Sequence, residues 1–151
     1  TCGLKQLVPG KSVGHPGGNK WMNKLPEFSS KKTVAPQNDS RMMIEAEKHP
    51  DLIPTAIMFP YGKMGQSASG ISCDTTNGKF GPFVNQLFVG DQTQSTIMRV
   101  DMEVVNGRYQ GACFPFRAGF ASGVVGVEMD GMHVHVHGSN SFYGLIMYAF
   151  Y

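Results

Sequence analysis

Apolar and polar positions alternate most clearly in "STIMRVDMEVVNGRYQGACFPF", residues 95–116. A period of two sends successive side chains to opposite faces of a strand. Asn106-Gly107 lies at the centre of the run and is a favoured pair for a type I′ turn. The pattern therefore predicts a hairpin with strands over 96–105 and 108–116. A two-residue loop fixes the register: Val104 faces Tyr109, Met102 faces Gly111 and Val100 faces Cys113, which makes one apolar face. Arg99, Asp101 and Glu103 share the other face, which is predicted to be wet.

Weaker patterns extend the β reading on both sides. "QLFVGD" (86–91) is a short apolar run of the buried-strand type, and "TAIMF" (55–59) is a short strand between prolines. "SGISCD" (69–74) alternates weakly and leads into the turn "TTNGK". "VVGVEMDGMHVHVHG" (124–138) and "FYGLIMYAF" (142–150) predict two or three further strands, with Asp130-Gly131 as a second tight turn. Upstream, "SRMMIEAEKH" (40–49) predicts one short helix, with Ser40 as N-cap, Arg41 and Glu45 at i,i+4 and Pro50 as the stop. It is under three turns long and needs something to pack on. Residues 1–38, rich in Gly and Pro, read as irregular.

The expected fold class is all-β, with turns every ~8 to 12 residues as in a sandwich, barrel or propeller. The expected organisation is an irregular lead over 1–53, carrying the helix at 40–49, followed by the β region 54–151. A structureless lead of this length is ordinary in a piece of a larger protein and odd in a compact domain. The abrupt start at Thr1 and the apolar end "LIMYAFY" point the same way.

Composition narrows the function classes. The 19 glycines and 9 prolines suit many turns. A net charge of +2 gives no argument for nucleic acid or an anionic membrane surface. No apolar run approaches the ~18 residues of a membrane span, and no signal peptide is visible. Cys2, Cys73 and Cys113 contain no C-x-x-C pair, which speaks against a zinc knuckle, and their odd count excludes a fully paired intramolecular set.

"FPYGKMGQSASGI" (59–71) followed by "GKFGPFVNQLFVGDQTQSTIMRVDMEVVNGRYQGACFPFRAGFASG" (78–123) resembles the six-bladed β-propeller of bacterial glucose/sorbosone dehydrogenase-type proteins, commonly labelled PQQ-dependent. "GHPGGNKW" and "EKHPDLIP" are similar to the large multidomain members, which often add a cytochrome c module. The resemblance covers about residues 14–123; residues 124–151 match poorly. It implies a partial β-propeller of about two blades, with "QLFVGD" as an innermost strand ending at the central channel and residues 96–116 as middle strands of the same blade.

It also implies PQQ-linked oxidation of a sugar alcohol or aldehyde with Ca²⁺, a cytochrome c domain or protein as partner, and a periplasmic or secreted setting. Asp91, Gln92 and Thr93 would lie at the channel end of the blade, with Arg117 in the following inter-blade loop. Lys63 in "YGKMGQS" would be a second cation toward PQQ carboxylates. No catalytic His, calcium-ligand loop or C-x-x-C-H haem site of that class matches in this sequence, so the catalytic residues are left unassigned.

Each candidate has a plainer alternative. Asp91 binds cofactor, cation or sugar, or it satisfies turn amides at a strand end. Lys63 and Arg117 capture carboxylates, or they are surface or stacked cations. His15 and His49 sit beside prolines, and a structural role suits both, His49 through the helix dipole.

His133, His135 and His137 share one strand face, but the outer two lie ~13 Å apart at ~3.3 Å per residue. A single ion takes an i,i+2 pair at most. "GMHVHVHG" also resembles the copper-binding strand of copper/zinc superoxide dismutases, which would make His133 and His135 Cu or Zn ligands; the alternative is a partly exposed strand. Three function classes follow: a fragment of a sugar dehydrogenase-like propeller oxidoreductase, a non-catalytic propeller module for binding or scaffolding, and a small Cu/Zn-binding protein.

Overall fold

The structure, a computed structural model, describes residues 3–14, 21, 24, 26, 36–37, 39–139 and 146–149. His15 and Cys2 lie outside the described residues. The chain divides into two units, Lys5–Thr55 on the one hand and Thr1–Leu4 with Ala56–Tyr151 on the other.

The unit Lys5–Thr55 contains α1 (Met42–Lys48). Its N-cap is Arg41, with no side-chain capping bond, so Ser40 does not cap as the pattern predicts. The expected Arg41–Glu45 ion pair is also absent among the described residues. Both departures have one cause. Glu45 is buried and collects donors around itself: the Gln37 N–H at 2.9 Å, the Ser40 side chain and the Lys48 ammonium at 3.0 Å. His49, the C-cap residue, stands 3.5 Å away at Nε2. The Gln37 N–H first, then Ser40 and Lys48, hold the Glu45 carboxyl at about 2, below its ordinary 4.5, because each favours the charged form.

The other unit is built from antiparallel strands. β1 (Gly3–Leu4) pairs with β2 (Ile57–Met58), which is shorter than the predicted 55–59. A four-stranded meander follows: β3 (Ala68–Cys73), β4 (Leu87–Asp91), β5 (Thr96–Val105) and β6 (Arg108–Ala118), adjacent in that order. A three-stranded meander completes it: β7 (Val124–Asp130), β8 (His133–Gly138) and β9 (Ile146–Ala149). The described residues form open sheets and no closed barrel.

The β5–β6 hairpin has the predicted register, with Val104 opposite Tyr109, Met102 opposite Gly111 and Val100 opposite Cys113. Asn106 and Gly107 carry φ of 51° and 75°. This is the left-handed pair that a type I′ turn requires.

Burial of the hairpin departs from the simple two-face expectation. β4 pairs with β5 only as far as Leu87↔Val100, so the outer half of the hairpin outruns its neighbour. Val104 is 58% and Tyr109 43% exposed there, and the apolar face ends near Met102. On the other face Arg99 is not simply wet. Its guanidinium lies 4.4 Å from the Phe114 ring centre and 5.4 Å from that of Phe83, and it donates to Gln86. A guanidinium over an aromatic face is attracted by the ring quadrupole.

β4 and the inner half of β5 are buried on both faces of the four-stranded sheet. Phe88, Ile97 and Phe116 meet Val124, Val127, Val134 and Val136 of the second sheet, with Phe80 and Phe83 filling the flank. The Phe88 and Phe116 ring centres are 4.8 Å apart, edge to face, an arrangement that aromatic pairs favour. Val89, Met98 and Val100 on the opposite face meet Ile57 and Phe59. Burial on two sides explains why "LFVGD" reads as a continuous apolar run. The run does not mark an innermost strand: β4 lies second in the sheet, between β3 and β5, and β6 forms the far edge. Apolar strength reports burial and carries no information on strand order.

β3 is the edge strand that meets the second sheet. A Cβ at Gly70 would lie 2.6 Å from both Gly126 Cα and Val127 N, and one at Gly90 would lie 2.5 Å from Val124 Cγ1. The Ser69 hydroxyl donates to the Val124 carbonyl near the start of both strands.

Gly70→Ala is expected to destabilise the chain by about 3 kcal/mol, because the obstructing atoms are backbone. Urea unfolding measures this, and a wild-type midpoint would contradict the seam. The Glu45 carboxyl carbon, followed by NMR, is expected to titrate near 2 and not near 4.5. The folded value is depressed, so the stabilisation it gives is complete above the ordinary value. That stabilisation is lost as pH falls from 4.5 through 2. Glu45→Gln removes that acid step.

Candidate functional site

Register places one row of residues across the end of the first sheet: Ala68, Asp91, Thr96 and Ala118 are successive Cα partners. With ~4.8 Å between strands, the row spans roughly 15 Å. Three connections leave from this end: the segment entering β3, the β4–β5 turn and the 119–123 link into β7. Loops on one end of a rigid scaffold are where binding groups concentrate.

Asp91 organises this end from within. It is fully buried; its Oδ2 accepts the N–H groups of Gln66 and Ser67 at 2.7 Å each, and its Oδ1 accepts that of Gln94 at 2.8 Å. The Gln92 N–H donates to the Ser67 carbonyl at 3.0 Å. The Thr93 and Ser67 hydroxyls lie 2.7 Å apart, and the Gln94 side-chain amide donates to Gln66 Oε1 at 2.9 Å. A carboxylate held by three amides and closed to solvent fastens loops; it has no face to offer a ligand.

Gln92, Thr93 and Arg117 are on the outside of the same end. Gln92 and Thr93 are exposed on the β4–β5 turn. Arg117, the Cα partner of Ile97, is exposed near the end of β6. Lys63 is exposed in the turn 60–65, where its N–H donates to the Pro60 carbonyl at 3.1 Å. Asp91, Gln92, Thr93 and Arg117 therefore lie at one end of the first sheet, with Asp91 inside it. Gln66, Ser67 and Gln94 complete this polar set and stand outside the sequence candidates. "GQSAS" carries no charge or motif, and its one signal is a polar, small-residue run before a strand.

The histidine strand is the second constellation. Val134 and Val136 of β8 are buried in the core, so His133, His135 and His137 occupy the opposite face. Across the ladder, Asp130 stands opposite His133, Glu128 opposite His135 and Gly126 opposite His137. The two carboxylates become legible once the register is known. Asp130 is still in the strand, and the turn residues are Gly131 and Met132.

The three imidazoles are not equivalent. The His137 ring lies over Gly126, where an added Cβ would be 3.0 Å from Cδ2. Its Nε2 is buried without a hydrogen-bond partner, 3.8 Å from Glu128 Oε2. The His133 and His135 ring centres are 6.4 Å apart. Among the described residues no three His, Cys, Asp or Glu side chains converge as a metal-holding group.

Other titratable groups have structural roles. Buried Asp74 accepts the Thr76 N–H at 2.8 Å and hydroxyl at 2.6 Å, closing the "TTNGK" turn. This is the usual way an Asp side chain satisfies a turn. Cys73 and Cys113 are unpaired. Burial, with Asp74 as a second cause at Cys73, pushes both thiols up, away from nucleophilic use at neutral pH. No described helix is long and apolar enough to cross a membrane. Comparison with family models, curated proteins and solved structures returned no match.

Asp91→Ala strands three amide donors and is expected to cost roughly 3 kcal/mol in urea unfolding. Thr93→Ala, which removes one hydroxyl contact at an exposed turn, is expected to cost under about 1 kcal/mol. Equal losses in the two variants would contradict the anchoring role of Asp91.

Proposed function

We propose that this chain forms consecutive blades of a β-propeller oxidoreductase of the glucose/sorbosone dehydrogenase type. In that reading, the loop end around Asp91 faces PQQ and a sugar. One observation carries it. Two antiparallel meanders, consecutive in sequence, stack face to face with their first strands in backbone contact. A radial array of blades repeats this arrangement. The inter-sheet link and the β4–β5 turn then emerge at a common end, as a cofactor-bearing propeller requires.

The candidate residues suit a tricarboxylate in part. Lys63 and Arg117 supply positive charge, and Gln92 and Thr93 supply neutral hydrogen-bonding groups. Asp91 fits neither the quinone nor Ca²⁺, since its oxygens already accept three amides. Its part is to hold the 66–67 and 92–94 backbones in place. When bound, PQQ supplies the two-electron acceptor for oxidation of a sugar alcohol or aldehyde. The side chains named here bind and orient; none is assigned to proton transfer. The class acts in the periplasm or outside the cell, with a cytochrome c domain or protein accepting electrons.

Equilibrium dialysis of the full chain against PQQ and Ca²⁺ tests the reading, together with dye reduction in the presence of aldoses. PQQ is expected to bind, and Arg117→Ala is expected to weaken binding about tenfold, as loss of one charge-assisted contact does. Absence of both PQQ binding and dye reduction would overturn the enzymatic reading and leave the sheet architecture untouched.

A further inference from the structure

We propose that His133 and His135 form a two-imidazole chelate for a divalent transition-metal ion, with Cu²⁺ the best fit, on the outward face of the second sheet. The inference is independent of the PQQ reading and rests on the β7–β8 ladder.

Two i,i+2 pairs are available on β8, and the structure separates them. His137 is engaged elsewhere: its ring packs on Gly126, and its Nε2 is buried 3.8 Å from Glu128 Oε2. His133 and His135 are half-buried, and neither makes a hydrogen bond or ion pair among the described residues. Their Val134 and Val136 neighbours are locked in the core, which fixes the backbone that presents the two rings. A chelate on a fixed strand loses less conformational freedom on binding than one on a loop.

The distances are compatible with one shared ion. Metal–nitrogen bonds near ~2.1 Å place two adjacent ligand rings with their centres roughly 4.5–5.2 Å apart. The present separation is 6.4 Å, so rotation of two half-exposed rings brings them within range. No three donors converge in the present rotamers among the described residues, so the ion is held by two nitrogens, with water or a carboxylate oxygen at its remaining positions.

Carboxylates favour a cation here. Glu128 stands across from His135 with its side chain 75% exposed, and Asp130 stands across from His133. Either can supply an oxygen or lower the local potential. Imidazole nitrogens bind Cu²⁺ more tightly than the other first-row divalent ions.

The test uses the full chain and Cu²⁺ itself. Isothermal titration is expected to give one Cu²⁺ per chain, with an electron paramagnetic resonance spectrum showing two coupled nitrogens. His135→Ala and His133→Ala are each expected to weaken binding at least about tenfold and to remove one nitrogen coupling. His137→Ala is expected to leave affinity within about twofold of wild type, since its ring is not a donor.

Metal-free melting curves show whether each variant folds. Independently of any variant, substoichiometric Cu²⁺ added to the wild type is expected to broaden the NMR signals of His133 and His135 before those of His137. Equal affinity in wild type and His135→Ala, or broadening that begins elsewhere in the chain, would overturn the proposal.

Discussion

Close approach of backbone to backbone between β3 and β7 is the contact on which the rest of the β unit depends. Gly70 has no side chain, so its strand lies against Gly126 and Val127 with no room for a methyl group. That approach lets Val124 and Val127 reach Phe88 and Ile97, and it draws Val134 and Val136 of the next strand into the same core. Gly126 is limited on its other side by the His137 ring. One pair of glycines thus sets the distance between sheets, the burial of β4 and the orientation of the histidine face. Interiors packed at crystal-like density do not tolerate even a methyl group at such a point.

Two polar constellations accompany this contact. Register across the first sheet brings the inter-sheet link and the β4–β5 turn to one end, where Asp91 fastens the loops entering β3 and leaving β4 through their amides. On the outer face of the second sheet, a two-residue turn at Gly131-Met132 sets two carboxylates against two of the three imidazoles. The first set offers positive charge and neutral donors to an anionic ligand. The second offers nitrogens and oxygens to a cation. Each depends on a rigid sheet behind it and could be lost without the other.

The register of the hairpin is legible in the sequence from the turn as far as Met98↔Pro115, because Asn106-Gly107 admits one loop length and loop length fixes register, whereas the shift between Ile97 and Met98 is not. The β3 strand is nearly hidden. "ASGISC" is poor in apolar residues because it packs through a glycine, which no hydrophobic pattern records. The place of β4 within its sheet is illegible for a related reason, since burial on two faces looks the same in any inner strand. Ser40 has the chemistry of an N-cap, yet its hydroxyl serves buried Glu45, a partner visible only in three dimensions. At the site, the charged and motif-bearing residues are legible, whereas Gln66, Ser67 and Gln94 are not, because their role is to present backbone amides.

Nuclear Overhauser contacts at the β3–β7 seam measure this packing most directly. Cross-peaks between the Gly70 α protons and those of Gly126, and between Gly70 and the Val127 amide, are predicted to be strong, as the near contact of these backbones requires. Their absence, with the β5–β6 hairpin contacts intact, would mean that the two sheets do not stack in this way and would contradict the architecture.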